Sequence, residues 1–375
     1  MKEAIRNTTN TFMKDAAKIL PNSGRTRRYT PPSESNSHFK KEDFALDVTK
    51  FLTPGKTTLT ESNYNNLKLE AQEKMKKNNI VLFANTPFRK AEEMKYWTDL
   101  ISSKSFDNIE GSVIRNKKAD NIYDVGVAPH IVIPPHPENA FASIFPKFIS
   151  FGILTAPGEK IGATHITSNI EYTQDLLSTK VGQKLRDLGV TYYRNMTSKN
   201  DPTDKLKYLN WQTSLKLEKK EDVEKYMNER YEKWHWGPND SLHFQMDTDA
   251  FVYYDEIDSN VAFFSLASHA YWFDDMEEYR FVPDLERPNT LGFGDGTMLT
   301  VEEVEEINAL TEKASFPLYW EQGDIAIVNN YMWMHARVPY TLKPGQKRDL
   351  AVKLIEKQDR TRMKPGKWDV LNMKV

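Results

Sequence analysis

The apolar positions of this chain fall into two recurring patterns from residue 59 onward. LTESNYNNLKLEAQEKMKKN (59–78) repeats with a helical period, and IVLFANT (80–86) is a short solid apolar run, as buried strands are. PFRKAEEMKYWTDLIS (87–102) predicts a helix opened by its proline. Residues 108–135 predict short strands and turns ending in IVIPP, and IFPKFISFGILTA (144–156) is apolar without helical periodicity, hence strand. NIEYTQDLLSTKVGQKLRDLG (169–189) and KKEDVEKYMNERYEKW (219–234) predict amphipathic helices, with strand-like VTYYRN, SLHFQM, AFVYYDE and VAFFSLA around them. LTVEEVEEINALTEKA (299–314) is a helix with Thr300 as N-cap and Glu303 completing a capping box. The C-terminal part, GDIAIVNNYMWMHARVPY and KRDLAVKLIEK across a KPGQ turn, is strand-rich. Many short strands with a few inserted helices indicate an α+β protein built on an antiparallel β core, not a βαβ repeat.

Residues 1–48 lack this patterning. MKEAIRNTTNTFMKDAAKIL predicts a short amphipathic helix, and the basic, Pro/Ser-rich stretch after it predicts a flexible lead-in. The domain reading is therefore a flexible segment over 1–48 and one domain over 49–375.

Composition removes several classes of chemistry. The chain has no cysteine, which excludes disulfides, thiolate zinc sites, iron–sulfur clusters and a cysteine nucleophile. A net charge of −2 gives no electrostatic case for nucleic acid or an anionic membrane, and no apolar run approaches the roughly 18–20 residues of a membrane span. The partner expected is a small molecule, and no pattern specifies an oligomeric state. The absence of cysteine accords with a cytoplasmic location, while the basic N-terminus leaves organelle targeting as the alternative.

Any metal must be held by histidine and carboxylate, and there are eight histidines. His136 and Glu138 stand two apart in HPE, so on extended backbone both point the same way. His335, in YMWMHARVPY, is the best third ligand. Two histidines and one carboxylate form the facial triad of non-haem Fe(II) oxygenases, and the same count suits catalytic zinc. His130, His165 and His235 have weaker contexts, His38 is in the N-terminal segment, and His243 and His269 are expected to be structural. Arg348 follows His335 by 13 positions, and adjacent antiparallel strands would bring the two together. Its planar guanidinium suits a two-pronged grip on a carboxylate.

These motifs, in this order, resemble the TauD/TfdA-like (clavaminate synthase-like) Fe(II)/2-oxoglutarate-dependent oxygenases over about residues 80–355. The resemblance is carried by HPENAFASIFPKFISFGILTAPGEKIGAT, LGVTYYRN, WQTSL, KWHW, LGFGDGTMLTVEEVEEI and GDIAIVNNYMWMHARVPY. It implies a double-stranded β-helix (jelly-roll) core with flanking and inserted helices, the insertion at about 166–300 helping to form the substrate pocket. It implies Fe(II) on His136, Glu138 and His335, with Thr164 and Arg348 holding 2-oxoglutarate, and O2 as co-substrate. It places Arg337 near the site. Glu138 disfavours halogenation, since the family's halogenases lack the carboxylate. Three departures stand out: IGAT for GGxT, Asn329 where aspartate is common, and Lys347 beside Arg348.

The expected activity is hydroxylation, desaturation or oxidative cyclisation of a small carboxylate-bearing, amino-acid-derived substance of specialised metabolism. Arg337, Asn195 and Tyr193 are the candidate substrate residues, with Tyr192, Arg194, Trp333 and Lys347 as further aromatic and basic candidates. Two other readings stay open: a zinc hydrolase on the same triad, which needs a nearby general base, and a non-enzymatic jelly-roll binding protein, in which the triad would not converge.

Overall fold

In the computed structural model, the structure describes residues 29–30, 39–107, 115–158, 160–203, 210–274, 276, 279 and 281–373. The helix expected over 1–20 and His38 lie outside these residues.

Two facing β-sheets form the core. The major sheet runs in the order Ala45–Asp47, Ile80–Ala84, Ile325–Asn329, Ile144–Thr155, Asp349–Asp359, Ile122–Tyr123, Lys117–Ala119. Only its first pair is parallel. The minor sheet, wholly antiparallel, runs Ser315–Leu318, Thr164–Ser168, Trp333–Arg337, Ile133–His136. Phe145, Ile149, Phe151 and Ile153 of the major sheet pack in one core with Ile166, Phe316 and Trp333 of the minor sheet. This is the jelly-roll arrangement. The major sheet's other face, with Val81, Phe83, Ile325 and Ile327, is covered by Leu67, Ala71 and Met75 of the helix Glu61–Asn78. Burial on both faces explains why IVLFA and IAIVN are solid apolar runs and do not alternate.

A third sheet, Asn289–Phe293, Val190–Met196, Leu242–Thr248 and Lys233–Trp236, and the hairpin Phe251–Tyr254 with Ser259–Ala262 belong to the insertion. That insertion begins after residue 168, because Thr164–Ser168 is itself a minor-sheet strand.

Several element boundaries differ from expectation, each for a local reason. Residues 41–48, expected to belong to a flexible segment, are ordered: Lys41–Phe44 is helical and Ala45–Asp47 pairs with Leu82–Ala84. Phe44, Leu46 and Val48 alternate apolar at period two and are buried. The expected helix over 169–189 is two, Asn169–Leu177 and Lys180–Leu188. Thr179 caps the second by accepting from the Gly182 amide, and a β-carbon on Gly182 would lie 1.8 Å from the Leu176 carbonyl oxygen. The helix expected over 87–102 shortens to Met94–Thr98 behind a single 3-10 turn, since the Glu93 carboxylate accepts from the Arg89 and Lys90 amides and sets a late start. The helix over 219–234 stops at Arg230, and Lys233–Trp236 becomes a strand whose tryptophans alternate. Among the described residues no helix is long and apolar enough to cross a membrane.

Candidate active site

The two sheets enclose a cleft of about 1040 Å³, counting its open mouth, and the triad lies on its wall. His136 and His335 are direct cross-strand partners in the minor sheet, so their side chains leave the same face. Their rings lie 4.2 Å apart. Glu138 is not on that strand, which ends at His136; it begins a turn containing Asn139 at φ +56°. What aims it is Asn330, fully buried. The Asn330 side-chain oxygen accepts from the Glu138 amide at 2.7 Å, and its nitrogen donates to the Glu138 and Pro146 carbonyls at 3.0 Å each. One ligand atom from each of His136, Glu138 and His335 lies within 4.8 Å of the others.

The chemistry of this donor set fits a divalent metal. His136 Nδ1 is 2.8 Å from the Pro134 carbonyl, which can only accept, so Nδ1 carries the proton and Nε2 keeps its lone pair. Burial pushes the His136 pKa down to about 3, aided by the neighbouring His335, so the ring is neutral at pH 7. Burial alone would raise the Glu138 carboxyl; Arg115 and the two imidazoles outweigh it and hold the group ionised, below the usual range. His335 Nε2 lies 3.4 Å from Glu138 Oε2. Among the described residues lining the cleft, Glu138 is the only carboxylate.

Asn330 carries a testable consequence. Replacing it with leucine orphans the buried amide and carbonyl of Glu138. The loss expected is on the order of 2–4 kcal/mol of stability, read by denaturant unfolding, together with weaker metal binding. Unchanged stability and metal affinity would refute this role.

Thr164, on the strand beside that of His335, and Arg348 also line the cleft. Arg348 precedes the strand Asp349–Asp359, which pairs with Ile144–Thr155 and not with the His335 strand. The expectation of adjacent strands is thus corrected: Arg348 and His335 come from opposite sheets and meet across the cleft. Arg348 Nε donates to the Gly162 carbonyl at 2.7 Å, and its Nη2 lies 3.4 Å from Thr164 Oγ1. Trp320 Nε1 donates to that oxygen at 3.0 Å, which leaves the Thr164 hydroxyl hydrogen free to donate. Gly162 has φ +64°, and a β-carbon there would lie 2.7 Å from Arg348 Cδ. Of the family's GGxT pair, then, the glycine retained in IGAT is the one the arginine needs. Lys347 points outward, 67% exposed, and pairs with Asp349 at 2.8 Å. Asn329, the other departure, donates to Asn79 and Tyr254 and accepts from the Tyr331 amide, a structural role.

The candidate substrate residues separate. Arg337 lines the cleft, but its guanidinium donates to the carbonyls of Val127, Ala128 and Ile131, so it holds the loop that forms the rim. Asn195 does not line the cleft: its amide donates to the Leu285 and Arg287 carbonyls and accepts from His243. Tyr193 faces the same way, toward Gly296. Strand alternation puts Tyr192 and Arg194 on the other face, where both approach Phe141, a cleft residue. Trp333 is core, donating to the Asn78 carbonyl. Residues missed from the sequence are Arg115, Asn330 and Trp320. Arg115 and Trp320 belong to no quoted motif, whereas Asn330 sits in GDIAIVNNYMWMHARVPY beside Asn329, so its motif position was the signal that could have found it. From the insertion, Ser265, Ala267, Ser268, Trp272 and Asn289 reach the cleft.

Among the described residues, the other histidines do not join the triad. His235 and His243 stack at 5.1 Å, and His130 is exposed. His165 and His269 are buried, and desolvation lowers both from 6.5 to about 4. Between those values the unfolded chain binds protons that the folded chain refuses, so stability falls as pH falls. Each costs on the order of 1–2 kcal/mol by pH ~5. Thermal denaturation should show a clear drop in Tm from pH 7.5 to 5; a flat Tm would refute it.

Comparison with known proteins gives the family of this chain. The sequence profile of the taurine catabolism dioxygenase TauD, TfdA family matches residues 55–352. The dapdiamide synthesis protein DdaC of Enterobacter agglomerans is 24% identical over 276 residues, covering 69% of this chain and 78% of that protein. A clavaminate synthase-like protein of Arabidopsis thaliana is 23% identical over 270 residues, covering 69% and 77%. The crystal structure of the non-heme iron oxygenase OrfP in complex with Fe, succinate and (3R,4R)-dihydroxy-L-Arg superposes with a TM-score of 0.44 at 11% identity, over 80% of this chain and 81% of that one. With the profile spanning most of its length, this chain belongs to the TauD/TfdA family, the Fe(II)- and 2-oxoglutarate-dependent oxygenases that its motifs resemble.

Proposed function

We propose that the protein oxidises an unactivated C–H bond of a small carboxylate-bearing, amino-acid-derived metabolite, using Fe(II), 2-oxoglutarate and O2. The observation that carries this reading is the pairing, in one cleft, of the His136–Glu138–His335 cluster with Arg348 and Thr164. His136, Glu138 and His335 would hold the iron. Bound iron supplies O2 activation coupled to decarboxylation of 2-oxoglutarate, so that substrate, 2-oxoglutarate and O2 give oxidised product, succinate and CO2.

The remaining work belongs to side chains. Arg348 offers a buried fork to the distal carboxylate of 2-oxoglutarate, and the Thr164 hydroxyl donates beside it. Asn330 keeps the Glu138 turn fixed, and Arg337 keeps the 127–131 rim closed. Phe151, Leu350 and Val352 line the cleft and exclude water from the reacting carbon. Hydroxylation, desaturation and ring closure all start from this arrangement. Dapdiamide synthesis, the role named for the Enterobacter relative, accords with specialised metabolism.

The competing readings fit less well. A hydrolase needs a general base, and no second carboxylate lines the cleft among the described residues. A binding module would leave the triad dispersed, whereas its ligand atoms converge. The test is anaerobic titration of the Fe(II)-loaded protein with 2-oxoglutarate. A weak visible metal-to-ligand charge-transfer band is expected; a folded, iron-loaded protein without it would sink the proposal.

A further inference from the structure

The proposed chemistry gives Arg115 no task, yet its side chain meets a ligand of the triad. Arg115 stands just before the hairpin of Lys117–Ala119 and Ile122–Tyr123, which extends the major sheet beyond Asp349–Asp359. Its neighbour Asn116 is pinned across that hairpin. The Asp124 carboxylate accepts from the Asn116 amide at 2.9 Å and from its side-chain nitrogen at 2.7 Å, and the Asn116 carbonyl accepts from the Asp124 amide at 2.9 Å. From this anchor the Arg115 side chain, only 15% exposed, reaches Glu138 in the turn after the minor-sheet strand. The hairpin on one sheet thus holds a ligand that follows the other.

Nη2 donates to Glu138 Oε1 at 2.9 Å and to Oε2 at 3.0 Å. Nearly equal distances put Nη2 between the two oxygens, the approach a metal would need in order to take both. Oε2 also faces His335 Nε2 at 3.4 Å. A carboxylate oxygen has about two lone-pair sites, so Oε2 keeps one for a metal. Nε and Nη1 are buried without a partner among the described residues, so the guanidinium has no second acceptor to turn to. A buried ion pair adds little net stability over an apolar pair of the same size; what it imposes is geometry. Asn330 fixes the Glu138 backbone, and Arg115 fixes its carboxylate. His335 supplies the reason this matters. Its Nδ1 is buried with no partner among the described residues, so nothing there fixes its tautomer. Without Arg115 the carboxylate would draw an Nε2–H from His335, and two ligand atoms would be lost to one hydrogen bond.

We propose that Arg115 is a positioning residue for the metal: it keeps the Glu138 carboxylate off His335 and offers a metal one oxygen, Oε2. This rests on the triad holding a metal, and not on the oxygenase chemistry. Two effects of Arg115 oppose each other, since its charge repels a dication while its hydrogen bonds hold the ligand in place. Glu138 offsets the charge it pairs with, and nothing else offsets a misplaced ligand, so positioning prevails.

The test is anaerobic equilibrium dialysis of the full chain against Fe(II), followed by addition of saturating 2-oxoglutarate. Arg115→Gln should bind Fe(II) about 10- to 100-fold more weakly, as expected when a group supporting a metal ligand is lost. Arg115→Lys keeps the charge and should fall in between. In iron-saturated Arg115→Gln the charge-transfer band should move to lower energy, because no cation then draws charge from the ligating carboxylate; a role in folding alone would not move it. Asp124→Ala removes the pins on Asn116 without altering the cleft lining. It should weaken Fe(II) binding relative to wild type, and it tests the same support if both Arg115 variants fail to fold. Fe(II) affinity in Arg115→Gln equal to or tighter than wild type would overturn the proposal, by showing that repulsion prevails. So would Arg115→Lys behaving no better than Arg115→Gln, an unmoved band, or unchanged affinity in Asp124→Ala. If the wild type binds Fe(II) but shows no band, the oxygenase reading fails and the affinities alone decide this inference. If the wild type binds no Fe(II), the inference falls.

Discussion

His136→Ala is expected to abolish both the charge-transfer band and turnover while leaving the fold intact. The ring stands at a strand end beside Glu138 and His335, with its Nδ1 proton committed to the Pro134 carbonyl. The variant removes one of three protein donors, and alanine cannot replace it. Mutating groups that merely support metal ligands costs about 10–100-fold in affinity, so loss of a ligand should exceed about 100-fold. The same outcome is expected for His335→Ala and Glu138→Ala. His165→Ala and His269→Ala should keep the band, since neither ring joins the cluster. Fe(II) binding, followed by equilibrium dialysis, distinguishes a missing ligand from a misfolded protein. Retained tight iron in His136→Ala would remove the triad from the mechanism.

Arg348→Met should produce the second large effect, confined to the co-substrate. The side chain is largely buried, anchored through Nε to Gly162, with Thr164 beside it. Breaking a buried charge pair costs about 2–5 kcal/mol, so the 2-oxoglutarate concentration for half-saturation should rise about 30-fold to several thousand-fold. Iron affinity should change little, because Arg348 touches no member of the triad. Lys347→Met is the control. That lysine is exposed and pairs with Asp349, a contact worth about 0–1 kcal/mol. Equal effects from the two substitutions would show that the wrong cation had been assigned.

The contrast between Lys347 and Arg348 also shows where sequence stops being enough. Residue type and order pointed to Arg348, but its supposed route to the site was wrong. Sequence distance suggested a neighbouring strand to His335; the chain instead crosses from the minor to the major sheet between them. The triad was legible because metal chemistry restricts the residue types and the chain has few histidines and no cysteine. Asn195 and Tyr193 lie in a segment expected to line the pocket, and strand alternation turned them away from Phe141, the cleft residue that Tyr192 and Arg194 approach without lining the cleft themselves. Arg115 and Trp320 left no readable signal, and Asn330 left only its place in the GDIAIVNNYMWMHARVPY motif. Their roles depend on which group they meet, and those groups lie 23, 192 and 156 positions away.

By itself the sequence determined most element types, the helix cap at Thr300, the three residues His136, Glu138 and His335 that converge in the cleft, and the family. These rest on local periodicity, on the few side chains able to bind iron, and on ordered motifs. Tertiary structure alone decided that residues 41–48 join the core, that Gly162 is the glycine Arg348 requires, and that Asn330 aims Glu138. Each is a contact between elements remote in sequence, set by how two sheets pack and not by any pattern along one strand.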